Sequence, residues 1–330
     1  MENGQAVNNL SAYYDKKSTP VQKAYKNATF LNSSQARNIR ILCELEETKW
    51  RLKLNGVNAT VLFFGSARAK STAQYQAAMA DLEAKKAALG NDPAVEAIES
   101  QIERVKAGEW MCEMFDKVAE LSRLLTEWSV SSKIKLALGR RISGVTRYTG
   151  MVEPENTAED EHQQTFLICT GGGPGFMEAA NMGAAMVPGS KNIGMAISLP
   201  FEEGINKFVT DELAFQYHYF FTRKFWMMYY CQALVVAPGG VGTMDELFEV
   251  LTLKQTGKVQ ADLPVVLLGA VYWRTVINWE AIVGYGVVAR KDYEDLFFTD
   301  DVQEAFEYIT ARLTTNPKFV LPENAASSVG

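Results

Sequence analysis

Apolar residues fall along this chain in two textures. Short continuous runs at 59–64, 165–169, 192–197, 213–217, 233–237 and 263–268 have the length and density of strands buried on both faces. Between them lie segments whose apolar positions recur every three to four residues, as on one face of a helix. In 34–54 these are Ile39, Leu42, Leu45 and Leu52; in 110–129 they are Met114, Val118, Leu121 and Leu125. Further helices are expected at 176–186, 222–231, 247–252, 279–283 and 302–313. The stretch 71–108 is rich in Ala, Glu and Lys and breaks at Gly90-Asn91-Asp92-Pro93, which predicts an inserted helical hairpin. Strands alternating with helices predict an α/β fold, a doubly wound and mostly parallel sheet with helices on both faces and added helical insertions. The organisation read this way is an N-terminal extension with one helix (1–56), a main domain (57–315) and a C-terminal tail (316–330). A second, polar insertion at 139–164 carries Arg140, Arg141, Arg147 and the acidic run Glu159-Asp160-Glu161.

Composition narrows the function classes. The chain has 330 residues, 47% of them apolar and 22% charged, as in an ordinary soluble domain. A net charge of −6 argues against general nucleic-acid binding, which needs a basic face. Two histidines and four scattered cysteines give no paired metal spacing, so no metal and no cofactor is expected, and the thiols are read as buried and free. No signal peptide and no run of membrane-spanning length is visible, and a reducing cytoplasm fits.

Three of the strand-to-helix switches carry small residues: Gly65-Ser66, Gly171-Gly172-Gly173-Pro174-Gly175, and Pro238-Gly239-Gly240-Val241-Gly242-Thr243-Met244-Asp245-Glu246. In an open parallel sheet such turns share the C-terminal edge, where ligands bind. Backbone N–H groups in the third turn can point at one anion, with the following helix adding its positive end. That turn also carries two carboxylates, Asp245 and Glu246, read as standing in the first helical turn. A phosphate grip alone has no use for them, so the pattern points to chemistry on a phosphorylated molecule. Neither rich turn fits the dinucleotide fingerprint, since Phe176 and Asp245 stand where glycine or alanine is needed, and no Gly-Lys-Ser/Thr occurs. A nucleoside monophosphate fits better. Arg223 and Lys224 open a helix at the same edge, where the arginine would bind phosphate or hold a leaving base. Phe220, Phe221 and Phe225 around them form either the wall of a base pocket or plain core.

Taken in order, Gly65-Ser66-Ala67-Arg68, Gly171 to Glu178, Leu199-Pro200-Phe201-Glu202-Glu203-Gly204-Ile205-Asn206, Arg223-Lys224 and Pro238 to Glu246 resemble the LONELY GUY family, often labelled "possible lysine decarboxylase". The resemblance covers about 57–315. It implies a Rossmann-like phosphoribohydrolase that cleaves the N-glycosidic bond of adenosine-type 5′-monophosphates, cytokinin ribotides included, to free base and ribose 5-phosphate. The family's catalytic arginine and glutamate match Arg223 and Glu246, and its phosphate loop matches Gly239, Gly240, Gly242 and Thr243. A homodimer, or an assembly of dimers, is implied too. Short members carry histidine two residues before the arginine, where Phe221 stands here. On this reading Glu246 opposes the positive charge that builds on the ribose and orients the attacking water. Gly65, Ser66, Gly171, Gly172, Gly173 and Lys224 join the nucleotide-binding set, with Glu178 and Asn206 as candidate ribose contacts. The competing class is a non-catalytic nucleotide or molybdenum-cofactor carrier, which has no evident use for the Arg223 and Glu246 pair. Lysine decarboxylation ranks third, since it needs a Schiff-base lysine and only Lys224 is near.

Overall fold

The computed structural model describes residues 21–90, 92–131, 135–136, 164–198, 204–316 and 319–320. The segment 199–203, most of the insertion at 139–164, and nearly all of the tail at 316–330 lie outside the described residues. The chain divides into two compact units, Met1–Glu46 and Glu47–Gly330. In the first, a 3₁₀ turn at Ala24–Lys26 leads to α1 (Ala28–Leu31), capped by the Asn27 side chain, which accepts from the Phe30 N–H. A second 3₁₀ turn at Ser34–Ala36 runs into α2 (Arg37–Leu54), so the helix expected over 34–54 starts tight and then relaxes.

The second unit is built on a seven-stranded, all-parallel sheet. Its strands are β1 (Thr60–Phe64), β3 (Leu167–Thr170), β4 (Asn192–Ile197), β5 (Ala214–Tyr217), β6 (Cys231–Val236), β7 (Val265–Leu268) and β8 (Leu296–Thr299). Their order is β5-β4-β3-β1-β6-β7-β8. The chain winds outward from β1 to β5, returns to lie on the other side of β1 as β6, and winds outward again to β8. β1 and β6 are therefore the point where the winding reverses, and the crevice beyond their C-terminal ends is where ligands bind in such sheets. Two short strands, β2 (Lys135–Leu136) and β9 (Phe319–Val320), pair antiparallel apart from this sheet.

β1, β3, β4, β6 and β7 are buried along their whole length, as continuous apolar runs require. Alternate side chains face opposite layers. Val61, Phe63, Ile168, Val235 and Val266 share one core with α5 (Met111–Ser131), α6 (Phe176–Ala185) and α12 (Val302–Thr315), through Phe115, Leu121, Ala179, Ile309 and Leu313. The expected hairpin is present as α3 (Thr72–Leu89) and α4 (Val95–Lys106), started by a capping box between Ser71 and Gln74. The remaining helices are α7 (Phe220–Tyr229), α8 (Val241–Gln255), α9 (Ala270–Val276), α10 (Trp279–Gly284) and α11 (Arg290–Glu294). β8, α9 and α11 have no counterpart in the sequence reading. β8 is only half-buried at Phe297 and Phe298 and is bracketed by Asp295 and Asp300, so it lacks the buried-strand pattern.

One contact fixes how α6 lies on α5. Gly183 comes so close that a Cβ there would be driven into the Ala119 carbonyl oxygen, a backbone atom that cannot swing aside. Gly183→Ala is expected to cost about 3 kcal/mol or more of unfolding free energy, because the two helices must separate. Urea denaturation followed by circular dichroism measures it.

Candidate functional site

The three small-residue turns leave three adjacent strands, β1, β3 and β6, at one edge of the sheet. They brace one another. The Ser66 N–H donates to the Pro238 carbonyl at 3.0 Å, and the Phe176 N–H donates to the Ser66 carbonyl at 3.1 Å. Gly65 lies against Phe176 and Ala237, so it serves this packing as well as the edge.

Arg223 spans the site. It stands in the first turn of α7, just after β5, and is 7% exposed rather than solvated. Its Nε donates to the Met195 carbonyl at 2.7 Å, which ties it to β4. Its guanidinium then passes over Gly171 so closely that a Cβ there would collide with Nη2. Nη1 ends 3.4 Å from Glu246 Oε1 on α8. At that distance the bond is long and leaves the carboxylate's hydrogen-bonding capacity largely unused by Arg223. The Glu246 side chain is 15% exposed. Burial raises its carboxyl to about 7, against the pull of Arg223 and then Lys224. A carboxyl titrating there suits proton transfer near neutrality.

Helix α8 starts at Val241, with Gly240 as its N-cap and no side chain capping it. Asp245 and Glu246 therefore stand in the second turn, not the first. Gly240 and Gly242 are exposed, and a Cβ at either would meet nothing within 4 Å. Gly239 is the opposite case: Thr243 folds back onto it, leaving no room for a side chain. Thr243 itself is buried.

Neighbouring residues on the two helices have unlike environments. Lys224 Nζ is held by Asp245 Oδ2 at 2.6 Å and Glu249 Oε2 at 3.0 Å. Burial pulls its ammonium down, but the two carboxylates outweigh that and leave it above its usual value. Phe220 and Phe221 are each 54% exposed, so they are not core, and Phe225 packs on Trp226 and Tyr229. Glu178 is half-buried and accepts from Gln74 Nε2 at 3.1 Å. Asn206 is committed to the second turn: its N–H donates to the Gly172 carbonyl at 2.8 Å, and its Nδ2 donates to the carbonyls of Gly172 and Gly173.

Behind that turn lies a polar network that the sequence reading missed. Asn181, fully buried on α6, accepts from Thr170 Oγ1 at 2.7 Å and from Asn206 Nδ2 at 2.9 Å. It donates to Asn192 Oδ1 at 2.8 Å and to the Ile193 carbonyl at 3.2 Å. Thr170 Oγ1 in turn accepts from the Gly172 N–H at 2.8 Å. The available signal was an asparagine amid the small apolar residues of Phe176-Met177-Glu178-Ala179-Ala180-Asn181-Met182-Gly183-Ala184-Ala185. Among the described residues no group of three His, Cys, Asp or Glu could hold a metal ion, and no helix is long and apolar enough to cross a membrane. Of the four free cysteines, Cys43 is exposed, contrary to the expectation for all four, and the others are buried. Asn181→Ala leaves Thr170, Asn192 and Asn206 without a shared partner in the interior. It is expected to cost about 2–4 kcal/mol, read by denaturant unfolding, with faster amide exchange at Gly172.

No curated protein matches the chain. Residues 177–309 match the family model described as "Possible lysine decarboxylase". The match points to an enzyme of LONELY GUY type or one related to it. The matched segment opens just past the second glycine turn and contains Arg223, the proline-led third turn and Glu246. The part of the chain that holds the buried arginine–glutamate pair is thus matched by the family that the motifs resemble.

Proposed function

We propose that this protein hydrolyses the N-glycosidic bond of nucleoside 5′-monophosphates, AMP or N6-modified AMP, to the free base and ribose 5-phosphate. The observation that carries the proposal is the buried Glu246 carboxyl facing Arg223 on the helix whose uncapped N-terminus is the third glycine turn. From Gly240 to Glu246 the helix rises about 9 Å, and side chains lean back toward the N-terminus. A phosphate seated on the N–H groups at 240–243 therefore sets a ribose against Glu246.

In the reaction the C1′–N bond breaks with its electrons going to the base, and positive charge gathers on the sugar ring. The ionised Glu246 opposes that charge and takes the proton of the attacking water, whose oxygen becomes the new C1′ hydroxyl; the departing base takes a proton from solvent, to which Glu246 returns its own. The guanidinium N–H groups not used on Met195 and Glu246 hold the departing base or the phosphate. Lys224 is unsuited to Schiff-base chemistry, because Asp245 and Glu249 keep its ammonium charged. The proposal extends to self-association, which the exposed Phe220, Phe221 and Val241 beside the site support, and to a cytoplasmic setting, which the free thiols support.

Glu246→Gln is expected to lower kcat on AMP at least about 100-fold, with adenine release followed by chromatography; near-normal turnover would remove Glu246 from the chemistry. AMP binding without adenine release by the wild-type chain would instead mark a carrier. The wild-type rate should climb as pH rises through about 7, where Glu246 ionises. Stability should move the other way. A carboxyl whose pKa is raised on folding from 4.5 to about 7 stabilises the fold below 4.5, and that contribution is lost as pH rises through 7. Glu246→Gln lacks this loss, so by pH 8 it should gain on the wild type by up to about 3 kcal/mol, measured by urea unfolding across pH.

A further inference from the structure

The inserted hairpin re-enters the main fold at Gly108-Glu109-Trp110, and there it meets Tyr272, which in turn bonds to the third glycine turn. The Trp110 ring stacks on Tyr272, with centroids 5.6 Å apart and planes 19° from parallel. Tyr272 belongs to α9, which follows β7. Its hydroxyl donates to the Gly239 carbonyl at 2.7 Å. Its neighbour Trp273 is fully buried and donates from Nε1 to the carbonyls of Val236 (3.1 Å) and Leu268 (3.2 Å), locking α9 onto the ends of β6 and β7. Tyr272 is thus held edge-on by Trp273 at 5.2 Å and face-on by Trp110.

The geometry of a peptide gives this hydroxyl a specific effect. The unit between Gly239 and Gly240 is planar and trans, so its carbonyl and its N–H point in opposite directions. A carbonyl turned to Tyr272 turns the Gly240 N–H to the other side. With two glycines at this peptide, side-chain sterics do little to stop it rotating. Rotated, it would offer an anion a carbonyl oxygen in place of a donor.

We propose that Tyr272, with Trp110 as its outer stacking partner, is a positioning residue that holds the Gly239–Gly240 peptide with its N–H toward the phosphate of a phosphate monoester. The inference rests on the reading of 240–243 as the phosphate seat. It also gives the root of the inserted hairpin a part in ligand binding.

The test uses the full chain with ribose 5-phosphate as probe, by calorimetry, and AMP turnover alongside. Tyr272→Phe, which keeps the ring and its stack, should weaken ribose 5-phosphate binding about tenfold. It should raise KM for AMP by a similar factor and leave kcat within about threefold. Trp110→Ala should have a smaller effect in the same direction, and Trp110→Phe should restore it. Unchanged ribose 5-phosphate affinity in Tyr272→Phe overturns the positioning role and leaves the phosphate seat standing. A fall in kcat and melting temperature without a change in affinity overturns it too, showing a merely structural residue. A wild-type chain that binds no ribose 5-phosphate overturns the seat and the positioning role together. Binding without AMP cleavage refutes the hydrolase reading alone.

Discussion

The site depends on how one guanidinium is held. Arg223 is anchored at its Nε by the Met195 carbonyl, passes over the bare backbone of Gly171, and only then reaches Glu246. Each constraint comes from a different element: β4, the turn after β3, and α8. An arginine buried to this degree must be paired or hydrogen-bonded, and the fold meets that need with one carbonyl and one long contact. Burial raises the Glu246 carboxyl to about 7, and the long contact to Arg223 offsets that only in part.

The two adjacent carboxylates on α8 show how burial divides labour. Successive residues on a helix point about 100° apart. Asp245 faces outward, 61% exposed, and neutralises Lys224; Glu246 is turned inward against Arg223, 15% exposed. The same rotation separates Arg223 from Lys224 on α7. Two like-looking pairs in the sequence thus become one half-exposed ion-pair cluster and one buried pair, to which the proposed function assigns the chemistry.

What could be read from the residues alone follows from the same physics. Strands such as 192–197 were legible because a buried parallel strand is apolar throughout, and β4 has those bounds. The hairpin was legible from its broken Ala, Glu and Lys composition. The start of α8 was not, because Gly240, Val241, Gly242 and Thr243 show no helical period, so the sequence alone puts the carboxylates one turn too early. Helix α9 was hidden because Leu268-Gly269-Ala270 offers no polar break after the strand. At the site, residue identities were legible and environments were not. Nothing in the sequence says that Asn206 spends its amide on the carbonyls of the second turn, or that Asn181 ties that turn to β4, since both depend on contacts between distant segments.

Lys224, tied to Asp245 and Glu249, has its positive charge already matched by two carboxylates. The chain as a whole bears a net charge of −6. Beyond a Debye length of about 8 Å at physiological ionic strength the solution screens that field. On the proposed function, capture of a phosphate would rest on the close-range donors of the third turn rather than on an electrostatic field reaching into solution.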